Sequence, residues 1–253
     1  MDTKINILFI TIIACLSFTS CDYEDNYEGP NANFHGKLIN KITGESYYSE
    51  QPNGFLIRFK EISWGADAQA QTFYGMYDGS FNWDHLFGYT GGKYEGSQYN
   101  VATYEVEPYD GAFIVVEPKK KVIEVKAGDK AEVNFEVIPY ISLTEEHMLD
   151  GNTLTVKYTM KREVENNKSY THSGVIISSK TRYLSGNLNG GGFEKEYSKF
   201  KSSSDLQSYN DGDIIQETVK LTPGKTYWLR VGAKRDGTDR WNYTQVIEIK
   251  VAN

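Results

Sequence analysis

The sequence predicts an all-β protein of two sandwich domains, and three observations predict it. Aromatic residues make up 14% of the chain, with 19 tyrosines, a bias toward side chains that suit half-buried pleated surfaces. Apolar residues recur with a period of two, and no window holds a helical period. Turn chemistry built on Gly, Asn, Asp and Pro separates the apolar runs at short intervals. A length of 253 residues suits two such domains, each able to bury its own core.

The chain opens on a polar start, Met1 to Asn6, followed by an apolar run at 7–18 and then Thr19-Ser20-Cys21. A run of about twelve residues is too short to cross ~30 Å of hydrocarbon as a helix, so it reads as a signal-peptide core. Small residues before a cysteine fit the bacterial lipobox, with Phe18 where leucine is usual. Residues 1–20 are therefore expected to be a lipoprotein signal peptide, cut before Cys21, which carries the lipid. The chain has two cysteines and the other, Cys15, lies in the leader, so the mature protein can form no internal disulfide. Two or three acyl chains on Cys21 anchor durably, since each buried CH₂ contributes about 0.8 kcal/mol.

Residues 21–33 read as an acidic solvated tether, with Asp22, Glu24, Asp25 and Glu28 and no apolar periodicity. An acidic stretch directly after the lipidated cysteine resembles the surface-export signal of Bacteroidetes lipoproteins. That implies the outer membrane, facing the cell exterior; a plain flexible linker with periplasmic retention stays open.

The first domain is expected at 34–139. Alternation puts Phe55, Ile57 and Phe59 on one strand face and Arg58 and Lys60 on the other. Asp78-Gly79 between two aromatic runs predicts a hairpin, as does the turn at 127–130 between the runs 122–125 and 131–137. Val133, Phe135 and Val137 are expected to share a core, and Pro139 ends the strand by removing a ladder donor.

The second domain is expected at 140–253, with about seven strands. Leu154, Val156, Tyr158 and Met160 alternate with polar partners, and Val175-Ile176-Ile177 reads as a run buried on both faces. The Gly/Ser-rich stretches at 185–192 and 199–213 read as long loops.

Two resemblances sharpen this. Leu221-Thr222-Pro223-Gly224 followed by Tyr227 is similar to the fibronectin type III pattern, in which a tyrosine hydroxyl ties the corner between two strands. The opening at 34–45, with Gly36 and the turn Thr43-Gly44-Glu45, resembles the transthyretin-like or carboxypeptidase regulatory-like sandwich. Together with the leader, the Asp-Gly-Ser-Phe segment at 78–81 and Phe135 to Tyr140, the chain resembles one family of two-domain Bacteroidetes lipoproteins, domain of unknown function 3823. That family implies a place in glycan uptake beside an outer-membrane transporter and its lipoprotein lid, and it carries no established catalytic residues.

Charge and motifs exclude several classes. A net charge of -7 argues against nucleic-acid partners, which need clustered Lys and Arg. His35, His85, His147 and His172 lie far apart without a zinc spacing, and neither a serine elbow nor a phosphate cradle is present. No cofactor or metal is expected. Glu105 and Glu107 share a strand face and read as a charged outer surface rather than a hydrolytic pair. The loops 210–213 and 236–239 read as ordinary turns before they read as calcium sites.

Aromatics crowd positions 64–109. Phe73, Phe81 and Phe87 are assigned to the core by alternation, whereas Trp64, Tyr77, Trp83 and Tyr89, beside Gly- and Asp-rich turns, are the expected exposed set and the candidate ligand surface. The expectation is a non-enzymatic, surface-displayed accessory lipoprotein of a polysaccharide-utilisation system that binds a polysaccharide, an oligosaccharide or a transporter partner. The alternative is an assembly protein that docks on the transporter complex and touches no sugar.

Overall fold

The computed structural model describes residues 29–63, 65, 67–88, 101–165, 167–187 and 192–253, and regular structure in them is almost entirely β. The first nine strands are β1 (Ala32–Asn40), β2 (Leu56–Glu61), β3 (Gln71–Tyr74), β4 (Ser80–Leu86), β5 (Ala102–Asp110), β6 (Phe113–Val115), β7 (Lys121–Val125), β8 (Lys130–Glu132) and β9 (Phe135–Pro139). One sheet runs β4-β1-β9-β6 with β8 also on β1, and the other runs β3-β2-β5-β7. Period-two burial fills the space between them: Phe34, Leu38, Ile57, Phe59, Phe81, Val106, Val133, Phe135 and Val137 form one core, with Phe55 beside them. Each contributes roughly 1.5–3 kcal/mol on burial.

Gly36 is required by a close approach, since a Cβ there would lie 1.9 Å from the Val133 carbonyl oxygen. That carbonyl belongs to the short break between β8 and β9, where the Asn134 side chain accepts the Lys37 N–H at 2.7 Å and replaces the missing ladder bond.

Both expected hairpins turn out to be corners between sheets. The Asp78-Gly79 turn closes tightly, with Met76 N–H on the Ser80 carbonyl at 2.8 Å and Gly79 at φ 79°. Yet β3 pairs with β2 and β4 with β1, in different sheets. Gly75 lets the chain swing across, because its missing side chain leaves room for the Phe55 ring. The turn at 126–129 likewise carries the chain from β7, paired with β5, to β8, paired with β1.

Pro139 closes β9 and β10 begins at Ile141, so Tyr140 alone joins the two sandwiches. The second contains β10 (Ile141–Asp150), β11 (Thr153–Arg162), β12 (Tyr170–Ser178), β13 (Lys199–Ser202), a single helical turn α1 (Ser203–Leu206), β14 (Ile215–Lys220), β15 (Thr226–Arg235), β16 (Asn242–Tyr243) and β17 (Ile247–Lys250). The sheets are β10-β11-β14 and β13-β12-β15, with β16 and β17 both on β15. The stretch at 199–213, expected as loop, thus holds β13 and α1, anchored by buried Leu206.

Leu154, Val156, Tyr158 and Met160 point into this second core, as alternation predicts. Tyr227 is buried in β15, and its hydroxyl accepts the Thr222 N–H at 3.0 Å, the corner expected from the fibronectin-like pattern. Val175 and Ile177 join the inner core, while Ile176 faces outward into a third cluster with Leu184, Trp241 and Tyr243. The run is therefore buried on both faces, and the outer cover reaches Tyr48 of the first sandwich.

Candidate functional site

The third cluster lies on a seam between the sandwiches, built from segment 46–50 on one side and the outer face of β12, β15 and β16 on the other. Segment 46–50 is extended and held at two points: Tyr47 N–H donates to the Leu38 carbonyl and Ser49 N–H to the Tyr77 carbonyl, each at 2.9 Å. Tyr47 turns inward, edge-on to Phe113 at 5.2 Å, and Tyr48 packs against the seam cluster.

Charged and polar groups lock the seam. Glu50 is buried and accepts the Tyr243 hydroxyl at 2.7 Å and the Ser185 hydroxyl. Arg230, on β15, is fully buried; it donates to the carbonyls of Ser49 at 2.7 Å, Leu184 at 3.2 Å and Thr244 at 3.0 Å. Its guanidinium lies 4.0 Å from the Tyr243 ring centroid, and desolvation by burial pushes its pKa down to about 10. Burial holds the Tyr47 and Tyr243 phenols neutral by raising both pKa values. Asn242 donates to the Ala112 carbonyl at 2.8 Å and accepts the Ile141 N–H at 3.0 Å. Arg240 grips Asp110 at 2.6 Å and the Asn53 carbonyl. With a one-residue linker and these ties, the two sandwiches hold a fixed relative geometry.

Two features open from this seam. The first is a cleft of about 280 Å³ between the domains, with Tyr47, Tyr48 and Tyr243 in its lining. Thr43, Ser46, Ser142, Thr244 and Gln245 supply hydroxyls and an amide around them, and Glu45 and Glu145 are its carboxylates. The second is an aromatic pair: Tyr77 meets Tyr183 edge to face, centroids 5.5 Å apart, and the Arg182 guanidinium sits 5.6 and 5.5 Å from the two rings. Segment 46–50 serves both, since Tyr48 lines the cleft and Ser49 holds Tyr77.

Of the expected ligand residues, Tyr77 lies at this seam, partly buried by its partners. Trp83 is partly buried rather than exposed: its ring lies tilted, centroids 5.1 Å from Phe73 and 5.3 Å from Phe59, with the indole N–H buried and, among the described residues, without an acceptor. Trp64, Tyr89 and the lipid site Cys21 lie outside the described residues. Phe87, assigned to the core by alternation, is 48% exposed. A register shift in the β1–β4 pairing between Ala32 and Phe34 changes the parity, so that Leu86 takes the core position.

The other candidates are occupied. Glu107 pairs with Arg58 and Glu105 with Lys120 at 2.8 Å, a charged outer face. Asp211 accepts from Arg162 at 2.8 Å and from the Tyr170 hydroxyl, and Asp213 caps Asn210 N–H at 2.7 Å. Among the described residues no group of three or more His, Cys, Asp or Glu is placed to hold a metal. Tyr48, Tyr183 and Arg182 were not singled out from the sequence; the Tyr47-Tyr48 doublet before Glu50 is the one local signal for the seam.

No family model and no curated protein matches the chain. Solved structures do. A protein from Bacteroides uniformis described as a "putative carbohydrate binding protein" is 25% identical, with a TM-score of 0.64, over 88% of this chain and 100% of its own. A DUF3823 family protein from the same species is 18% identical with a TM-score of 0.67, over 88% and 100%. One from Parabacteroides merdae is 15% identical with a TM-score of 0.64, again over 88% and 100%. The two-sandwich fold expected from the sequence is the fold these proteins share.

Proposed function

We propose that this chain, whose two-sandwich fold is that of DUF3823 family proteins, is a carbohydrate-binding lipoprotein of a polysaccharide-utilisation system, anchored through Cys21 and displayed outward from the outer membrane. The observation that carries the binding role is the interdomain cleft. Tyr48, half-buried at the cleft, offers a ring face to the C–H side of a sugar, and the neutral hydroxyl and amide groups beside it match the sugar hydroxyls. The locked seam holds these groups in place before ligand arrives, which lowers the ordering cost of binding.

The description of the 25% identical Bacteroides uniformis protein supports the same reading. We read the role as binding without catalysis, in line with that description. The leader and the acidic tether support the address; a Cys21→Ser chain is expected to lose incorporation of labelled fatty acid.

Affinity electrophoresis of residues 22–253 through gels cast with a broad polysaccharide panel tests the binding role. Retardation on at least one polymer is expected. No retardation on any, together with cross-linking to a transporter on cells grown without glycan, would instead establish the assembly role.

A further inference from the structure

The chain has six arginines, and five have settled partners. Arg58, Arg162, Arg235 and Arg240 pair with Glu107, Asp211, Glu165 and Asp110. Arg230 is buried among carbonyls. Arg182 is exposed and, among the described residues, forms no ion pair with a carboxylate. It rests instead over Tyr77 and Tyr183, which join the two domains beside the cleft.

We infer that the seam prefers a saccharide carrying an anionic substituent, carboxylate or sulfate, bound by the Arg182 guanidinium while the Tyr77 and Tyr183 rings pack on the sugar. This rests on the carbohydrate-binding reading and names its ligand class. A guanidinium presents a planar fork of donors that matches two oxygens of a carboxylate or sulfate at once. Cation–π contact with two rings restrains that fork at the surface and reduces what must be ordered on binding.

Asp78 is the nearby acid whose charge reaches Arg182 and opposes an anion there, but it forms no ion pair with the guanidinium, and its Oδ1 accepts the Ser80 hydroxyl at 2.6 Å and the Ser80 N–H at 3.1 Å. The neighbouring Lys180 is committed to Glu194 at 3.5 Å. The overall charge of -7 opposes anions at long range, yet screening confines that repulsion to about 8 Å at physiological ionic strength, so contact geometry decides.

Matched polymers test this with the full chain. Polygalacturonate is compared with its methyl-esterified form, and dextran sulfate with dextran, by affinity electrophoresis and calorimetric titration. Wild type is expected to bind one anionic polymer about tenfold or more tighter than its neutral counterpart. The responding pair tells carboxylate from sulfate. Arg182→Gln should lose that preference and keep the wild-type thermal midpoint, because the side chain is exposed. Arg182→Lys should recover it only in part. Equal binding of charged and neutral forms, or a preference that survives Arg182→Gln, overturns the inference and leaves carbohydrate binding standing. Failure to bind any polymer, neutral or anionic, overturns both.

Discussion

The Tyr243 hydroxyl donates to Glu50 Oε2 at 2.7 Å across 193 positions of sequence, and the same oxygen accepts the Ser185 hydroxyl. Tyr243 also accepts the Gly186 N–H at 2.9 Å, so one phenol ties the first sandwich, the 185–187 loop and β16 together. Tyr243→Phe leaves that buried N–H without an acceptor and Glu50 short of a donor. It should cost about 2–3 kcal/mol, read as a lower urea midpoint with an unchanged slope. A loss below about 0.5 kcal/mol would place these bonds outside the stability account.

Arg230→Met removes the donor to three carbonyls at once and takes a positive charge from beside Glu50. A loss of roughly 3–5 kcal/mol is expected. Calorimetry should show one transition for wild type, because the seam couples the sandwiches, and two for the variant. A single transition near the wild-type midpoint would mean that the seam does not couple them.

Tyr227→Phe isolates the second sandwich, since its hydroxyl meets the Thr222 N–H within that unit. The expected cost is about 1–2 kcal/mol. In the Arg230→Met background, calorimetry should show only the second sandwich's transition move.

Asp211 sets part of the acid limb. Burial raises its pKa, but the hydrogen bonds from Tyr170 and Arg162, with the Arg162 charge, outweigh that and leave it below the usual 3.8. A depressed acid pKa gives stability that is fully present above the unfolded value and is lost as pH falls through the folded one. Asp211→Asn should therefore lower the thermal midpoint at neutral pH and flatten its decline from about pH 5 to about pH 2. Parallel wild-type and variant curves would contradict this.

Much of the fold was legible because alternation reports burial directly: Leu154 to Met160, Phe55 to Phe59 and Val133 to Val137 all point inward as read. Tyr227 was legible because its partner is five residues away. The turns at Asp78-Gly79 and 127–130 were misread because turn chemistry is local, whereas the sheet each strand joins depends on distant β1, β2 and β5. Phe87 was lost to an irregular register that no spacing announces. The site was the least legible part. Tyr77 reads as one aromatic among many until Tyr183 and Arg182 meet it from the other domain, and Trp83 reads as loop-side until Phe59 and Phe73 cover it.

The central claim is that sugar binds at the interdomain cleft, and Tyr48→Ala tests it most directly. Tyr48 lines that cleft, and burial followed by the charges of Glu45 and Asp78 raises its phenol pKa. Stacking contacts of this kind contribute on the order of 1–3 kcal/mol. On the polysaccharide that retards wild type most, the dissociation constant of Tyr48→Ala should rise about tenfold or more, with its urea transition still cooperative. A variant that folds and binds as tightly as wild type would contradict the account.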